Sequence, residues 1–293
     1  MLIKDILLRD PSQEALVNNG QARITNEAAD ANVEKELRGE LSTFVCEGQY
    51  ADGIIKILSS FLASRSQTHQ KSAWVSGFFG SGKSHLLKMA AHLWANTEFS
   101  DGATARSLVP ELPDEVRDLL RELDVAGKRS GGLLAAAGTL PSGTTENVRL
   151  SVLSILLRAV GLPHQYPQAQ FHLWLEDNKY LAPVKSSIEA AGKKWANELN
   201  NLYVSPLIAK AILKCDPNFA VSEAAARDTI KTQFPLKTAD LTTDEFLGMF
   251  KRVLKRAGAA HVALLAVARV DRRMEGWRGA SAPSTEGVNR DVE

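Results

Sequence analysis

Apolar residues recur at helical spacing along most of this chain. Residues 27–45 carry an apolar side chain every three or four positions with charged residues on the opposite face, and residues 54–62 repeat the pattern. Residues 84–94 predict a third helix. A fourth begins near residue 114, where acidic side chains favour the positive end of the helix dipole. From residue 165 to residue 257 the pattern is helical almost throughout, which predicts a long helical insertion.

Several predicted helices begin at side chains that can accept hydrogen bonds from a first turn. Thr242 is followed three residues later by Glu245, which is the spacing of a capping box. Ser222 is a further N-cap candidate, and Ser205 precedes Pro206, a residue that suits the first position of a helix. We therefore expect helices to begin at these three points.

Three short apolar runs have the length and composition of β-strands. They cover residues 73–76, residues 131–140 (GGLLAAAGTL) and residues 261–270 (HVALLAVARV). The second run is followed by a turn and a predicted helix, which is typical of α/β proteins. Thr139 lies at the carboxyl end of that run, where open α/β sheets place groups that contact ligands, so it is a candidate nucleotide-sensing residue.

A glycine-rich motif follows the first of these runs. Gly77, Gly82, Lys83 and Ser84 occupy the fixed positions of the pattern GxxxxGK[ST], between an apolar segment and a predicted helix. This is the pattern and the setting of a phosphate-binding P-loop. We use the name P-loop for residues 77–84 throughout.

The residue types of the P-loop suit a polyphosphate. Glycines at positions 77, 80 and 82 let backbone N–H groups approach the phosphates closely, and the next helix adds its dipole. Lys83 would supply charge to the outer phosphates, and the Ser84 hydroxyl would bind Mg²⁺. We expect the two phenylalanines of the loop to pack against a sheet edge or a neighbouring segment rather than to stack on a base. The predicted ligands are ATP and Mg²⁺, and the predicted binding residues are Gly77, Phe78, Phe79, Gly80, Ser81, Gly82, Lys83, Ser84 and His85.

Composition narrows the class of protein. The 293 residues carry a formal net charge of +1, so the overall charge gives no support to DNA binding. The two cysteines, Cys46 and Cys215, lack the spacing of a disulfide framework or a zinc site, which suits a reducing cytoplasm. No run reaches the roughly 18 apolar residues of a membrane span, and the first residues lack the pattern of a signal peptide. We therefore expect a cytoplasmic protein without membrane contact.

The P-loop and its surroundings resemble a known family. Residues 36–41 (ELRGEL), 44–50 (FVCEGQY) and 74–88 (WVSGFFGSGKSHLLK) are similar to the amino-terminal region of the large P-loop ATPases of bacterial phage defence, the BrxC proteins of BREX and the PglY proteins of phage growth limitation. The resemblance continues through residues 101–106 and 201–206 to about residue 257. It implies an ATPase that acts with other defence components, including a DNA methyltransferase, to restrict phage replication. Formation of oligomers is a separate possibility that the sequence leaves open.

The chain departs from that family after its last predicted strand. The family continues that strand with Asp-Glu, whereas this sequence has Asp271 followed by Arg272 and Arg273. Asp271 is therefore the one catalytic candidate, and a truncated or frame-shifted reading frame would explain the ending. Since the second acidic motif is degenerate, the sequence predicts nucleotide binding without predicting hydrolysis. Two alternatives stay open, a non-hydrolysing nucleotide-gated binding or assembly module and a small-molecule kinase.

Together these patterns predict an α/β fold with an incomplete P-loop NTPase core of the AAA-like type and a mostly helical insertion. The expected divisions are an amino-terminal helical region in residues 1–65, the α/β core in 66–161, the helical insertion in 162–258, a further core strand in 259–271 and a disordered tail in 272–293.

Overall fold

The structure is a computed structural model. It describes residues 31–65, 67, 72–73, 75–78, 80–129, 131–140, 147–237, 239–258 and 261–268. Phe79 and Asp271, two of the predicted site residues, lie outside these ranges, as does the predicted tail.

The described residues form twelve helices and two strands. In chain order the elements are α1 (Ala31–Ser42), α2 (Gly48–Ser64), α3 (Lys83–Ala95), α4 (Ala105–Leu108), α5 (Asp114–Arg129), β1 (Leu133–Leu140), α6 (Val148–Ala159), α7 (Tyr166–Asp177), α8 (Leu181–Ala190), α9 (Trp195–Asn200), α10 (Pro206–Cys215), α11 (Glu223–Gln233), α12 (Thr243–Ala257) and β2 (His261–Ala268). The strands pair in parallel, with Leu133 opposite His261 and Leu140 opposite Ala268. Within the described residues, no helix combines the length and the apolar character needed to cross a bilayer.

The expected α/β P-loop NTPase core was wrong. The described chain is mostly helical, and its two strands of eight residues each do not amount to such a core. Residues 73, 75 and 76, which were expected to form the strand leading into the P-loop, have no strand structure. Ala73 and Ser76 are exposed, whereas a strand that delivers the loop from a sheet core would be buried.

Several local predictions are confirmed. The Thr242 hydroxyl accepts a hydrogen bond from the Glu245 N–H, and the Glu245 carboxylate accepts one from the Thr242 N–H, which completes the capping box of α12. Ser205 caps α10, and Ser222 caps α11. The runs at residues 131–140 and 261–270 contain β1 and β2.

In the described part of the chain, buried apolar side chains form three clusters. The first joins α1, α2, α3 and α5, with Leu41, Met89 and Leu123 fully buried. The second surrounds β1 with residues of α6, α7 and α12, and the third fills the space among α7 to α11. Helix α7 contributes Leu173 to the second cluster and Phe171 to the third. The P-loop leads into α3, so its support comes from the first cluster.

Candidate phosphate-binding site

The P-loop curls around the ammonium group of Lys83. The Lys83 Nζ donates hydrogen bonds to the carbonyl oxygens of Gly77 at 2.8 Å and Phe78 at 2.6 Å, and it lies 3.3 Å from the Ser81 Oγ. The Ser81 N–H also donates to the Phe78 carbonyl. These hydrogen bonds close the loop into a ring with the Lys83 ammonium at its centre. A ring of this kind suits a ligand with negative oxygens, because such oxygens can replace the carbonyls as partners of the ammonium.

Two glycines of the loop have backbone conformations that other residues rarely adopt. The φ angles are +83° at Gly80 and +76° at Gly82, both in the left-handed region. At Gly77 the reason is steric, because a Cβ there would lie 2.8 Å from the Ser81 Oγ and would displace that hydroxyl from its place beside Lys83. Each glycine that the motif specifies within the described loop therefore has a conformational or steric reason.

Helix α3 begins directly after the loop. Gly82 is its N-cap residue, and Lys83 and Ser84 are the first two residues of the helix. The first-turn N–H groups of a helix have no partner within it, and they carry the positive end of the helix dipole. Lys83 and Ser84 thus stand at the positive end of the α3 dipole.

Phe78 does not pack as expected. Its side chain is 91% exposed, so the interpretation that it packs against a sheet edge or a neighbouring segment was wrong. Gly77 and Gly80 are exposed as well, and residues 72–73 and 75–77, the described residues just before Phe78, form no strand that could supply an edge. Phe78 therefore presents its ring to solvent, while its carbonyl oxygen holds Lys83.

The structure adds a residue that the sequence patterns did not single out. Tyr50 lies in the first turn of α2, and its hydroxyl oxygen is so close to the main chain of Gly82 that a Cβ on Gly82 would lie 1.8 Å from it. Tyr50 belongs to the segment 44–50 that carries the family resemblance, but no spacing rule connects it to residue 82. Its place beside the P-loop follows from tertiary packing.

An aromatic group supports this side of the loop. The ring of Phe44, in the connection between α1 and α2, packs edge-on against Tyr50 at 6.0 Å and against His85 at 5.6 Å between ring centres. Burial lowers the pKa of His85, the Glu40 carboxylate opposes that shift and the Lys88 ammonium adds to it. His85 is therefore neutral at neutral pH and adds no positive charge to the site.

A buried ion pair lies further along α3. The Lys88 Nζ is 2.5 Å from the Glu40 Oε2 and 3.9 Å from the Glu36 Oε1, and both carboxylates belong to α1. Lys88 and Glu40 are 7% and 5% exposed. Because its charge is matched by carboxylates, Lys88 holds α1 against α3 and is not a second cation for a phosphate.

The remaining candidate, Thr139, is exposed near the carboxyl end of β1, where its Cα is paired with Val267 of β2.

No family model matches the chain, and no solved structure matches it.

Proposed function

We propose that this chain binds ATP with Mg²⁺ through its P-loop. The observation that carries the proposal is the Lys83 ammonium held by the Gly77 and Phe78 carbonyls at the N-terminus of α3. Triphosphate oxygens would exchange with these carbonyls as partners of Lys83, and the first-turn N–H groups of α3 would bind the same phosphates. The Ser84 hydroxyl would reach the Mg²⁺ that ATP brings with it.

The proposed function is ATP binding and does not include ATP hydrolysis. Hydrolysis would require a carboxylate that orients water, and the candidate for that role, Asp271, lies outside the described residues. The family resemblance extends the proposal to a cytoplasmic ATP-binding protein of BREX or Pgl phage defence that works with other defence components. A nucleotide-gated binding module is the second candidate, because the contact of Tyr50 with Gly82 links the loop to α2.

Thermal unfolding with and without saturating Mg·ATP tests the binding proposal. At a hundred times the dissociation constant, a ligand of the native state stabilises it by about 2.7 kcal/mol, which corresponds to a rise of about 5 °C in the midpoint for a chain of this size. We expect this rise for the wild type and none for Lys83→Ala. Lys210→Ala, which removes an exposed lysine of α10, should respond like the wild type. A folded wild-type protein whose midpoint does not move would refute ATP binding.

Release of phosphate distinguishes the two candidate functions. Turnover that requires Mg²⁺ and is lost in Lys83→Ala would identify an ATPase and exclude a module that never hydrolyses. Binding with no turnover above that of Lys83→Ala would identify the nucleotide-gated module.

A further inference from the structure

Two helix N-termini meet at the P-loop. Tyr50 lies in the first turn of α2, and its side chain reaches Gly82, the N-cap of α3. One tyrosine side chain therefore spans the distance from the first turn of α2 to the start of α3. Since Gly82 has no side chain, the Tyr50 hydroxyl lies directly against the backbone from which α3 begins.

The electrostatics of this meeting point favour an anion. In the part of the chain that the structure describes, the first turns of α2 and α3 contain no acidic residue and neither N-cap makes a side-chain hydrogen bond, although the N-cap residue of α2 is the exposed Glu47. The start of α3 carries a partial positive charge of about half an elementary charge, and Lys83, a cation, is the first residue of that helix. By contrast, α5 and α12 carry acidic residues in their first turns.

The phenol ring of Tyr50 is held in place by its neighbours. Phe44 packs edge-on against it, and His85 of α3 packs on Phe44 from another side. One turn further along α2, a Cβ on Gly53 would lie 3.3 Å from the Leu86 Cδ2, so α2 and α3 are closely packed there. A hydroxyl fixed in this way loses little conformational entropy when it binds a ligand.

We infer that the Tyr50 hydroxyl is an additional phosphate-binding group of this site and donates a hydrogen bond to a phosphate oxygen of the nucleotide. The inference rests on the proposed function, because it requires a nucleotide in the P-loop. It adds a residue from α2, 32 positions before Gly82, which the P-loop motif does not contain. A purely structural role, in which Tyr50 only fills the space beside Gly82, would leave phosphate affinity independent of the hydroxyl.

The test compares full-length wild type, Tyr50→Phe, Lys83→Ala and Tyr203→Phe by calorimetric titration with Mg·ATP and with magnesium tripolyphosphate. Tyr50→Phe keeps the ring and removes only the hydroxyl. A hydrogen bond to a charged group contributes enough free energy that its loss should weaken binding of both ligands about ten- to a hundredfold. Tyr203→Phe is the matched control. It removes a hydroxyl that donates to the Phe234 carbonyl in the third cluster, so its affinities should equal those of the wild type.

The outcomes distinguish a failure of this inference from a failure of the proposed function. Wild-type binding that is lost in Lys83→Ala but unchanged in Tyr50→Phe would overturn the role of Tyr50 and leave ATP binding intact. A loss in Tyr50→Phe for Mg·ATP without a matching loss for tripolyphosphate would also overturn it, because the hydroxyl would then contact another part of the nucleotide. A parallel loss for both ligands supports it. A wild-type protein that binds neither ligand refutes the inference together with the proposed function.

Discussion

At the scale of single residues, His92 makes stability depend on pH. Its Nδ1 lies 2.9 Å from the Thr97 Oγ1. Burial lowers its pKa from 6.5 to about 4, and the Lys88 ammonium adds to the shift. Above pH 6.5 the imidazole is neutral in both states, so the full stability is present. As pH falls from 6.5 towards 4 the unfolded chain binds the proton first, and stability is lost.

We expect protonation linked to His92 to lower the free energy of unfolding by about 3 kcal/mol when the pH falls from 7 to 4. Urea unfolding of the wild type and of His92→Gln at both pH values measures it, and the variant should lose about 3 kcal/mol less on acidification. Burial also lowers the pKa of His164, a more exposed residue, so His164→Gln should change the pH dependence less. Equal losses in wild type and His92→Gln would contradict the assignment.

At the scale of elements, the pair between Lys88 and Glu40 fixes α1 on α3. Replacing Lys88 by methionine leaves the Glu40 carboxylate buried beside Glu36 without its cation, which should cost about 3–5 kcal/mol in the free energy of unfolding. The double variant Lys88→Met with Glu40→Met replaces the pair by apolar side chains and should recover much of that loss. Urea unfolding of the two variants measures both effects.

The control pair is Arg121 with Asp118 on α5, whose side chains are 76% and 70% exposed. Exposed pairs contribute little because water screens them, so Arg121→Met should change stability by about 0.5 kcal/mol or less. A Lys88→Met variant as stable as Arg121→Met would show that the buried pair does not hold these helices together.

The helices were predictable wherever the signal was local. The capping box of Thr242 and Glu245 needs only residues three apart, and the structure has both of its hydrogen bonds. The need for glycine in the P-loop was equally predictable from the sequence, because the positive φ angles of Gly80 and Gly82 belong to the loop itself. The strand expected at residues 73–76 failed because an apolar run does not show whether neighbouring strands exist to pair with it.

Contacts between distant residues were beyond the sequence patterns. Lys88 and Glu40 are 48 positions apart, and each has an ordinary place on its own helix. Arg106 is a similar case, since its guanidinium donates to the Leu93 and Trp94 carbonyls at the end of α3 and pairs with Asp124 of α5. Only the packing of α3 against its neighbours brings these groups together, and no local rule expresses that packing.

At the scale of the whole molecule, each of the three apolar clusters stabilises a different set of elements. The P-loop and Tyr50 are supported by the first cluster, whereas α8 to α11 are held by the third. Helix α7 contributes buried residues to both the second and the third cluster. A ligand at the P-loop acts first on the elements that contact it, so its effect on local opening should be confined to the first cluster.

Hydrogen exchange with and without saturating Mg·ATP tests this confinement. We expect amides of residues 44–50 and 77–87 to exchange more slowly, by up to about a hundredfold where opening requires release of the nucleotide at a hundred times its dissociation constant. Residues 199–234, which line the third cluster, should exchange at unchanged rates because they pack with α7 and α8 in that cluster and contribute no residue to the first cluster. Lys83→Ala should abolish the slowing. Equal protection of residues 199–234 would show that the nucleotide stabilises the chain as one cooperative unit, and slowing that persists in Lys83→Ala would place the nucleotide away from the P-loop.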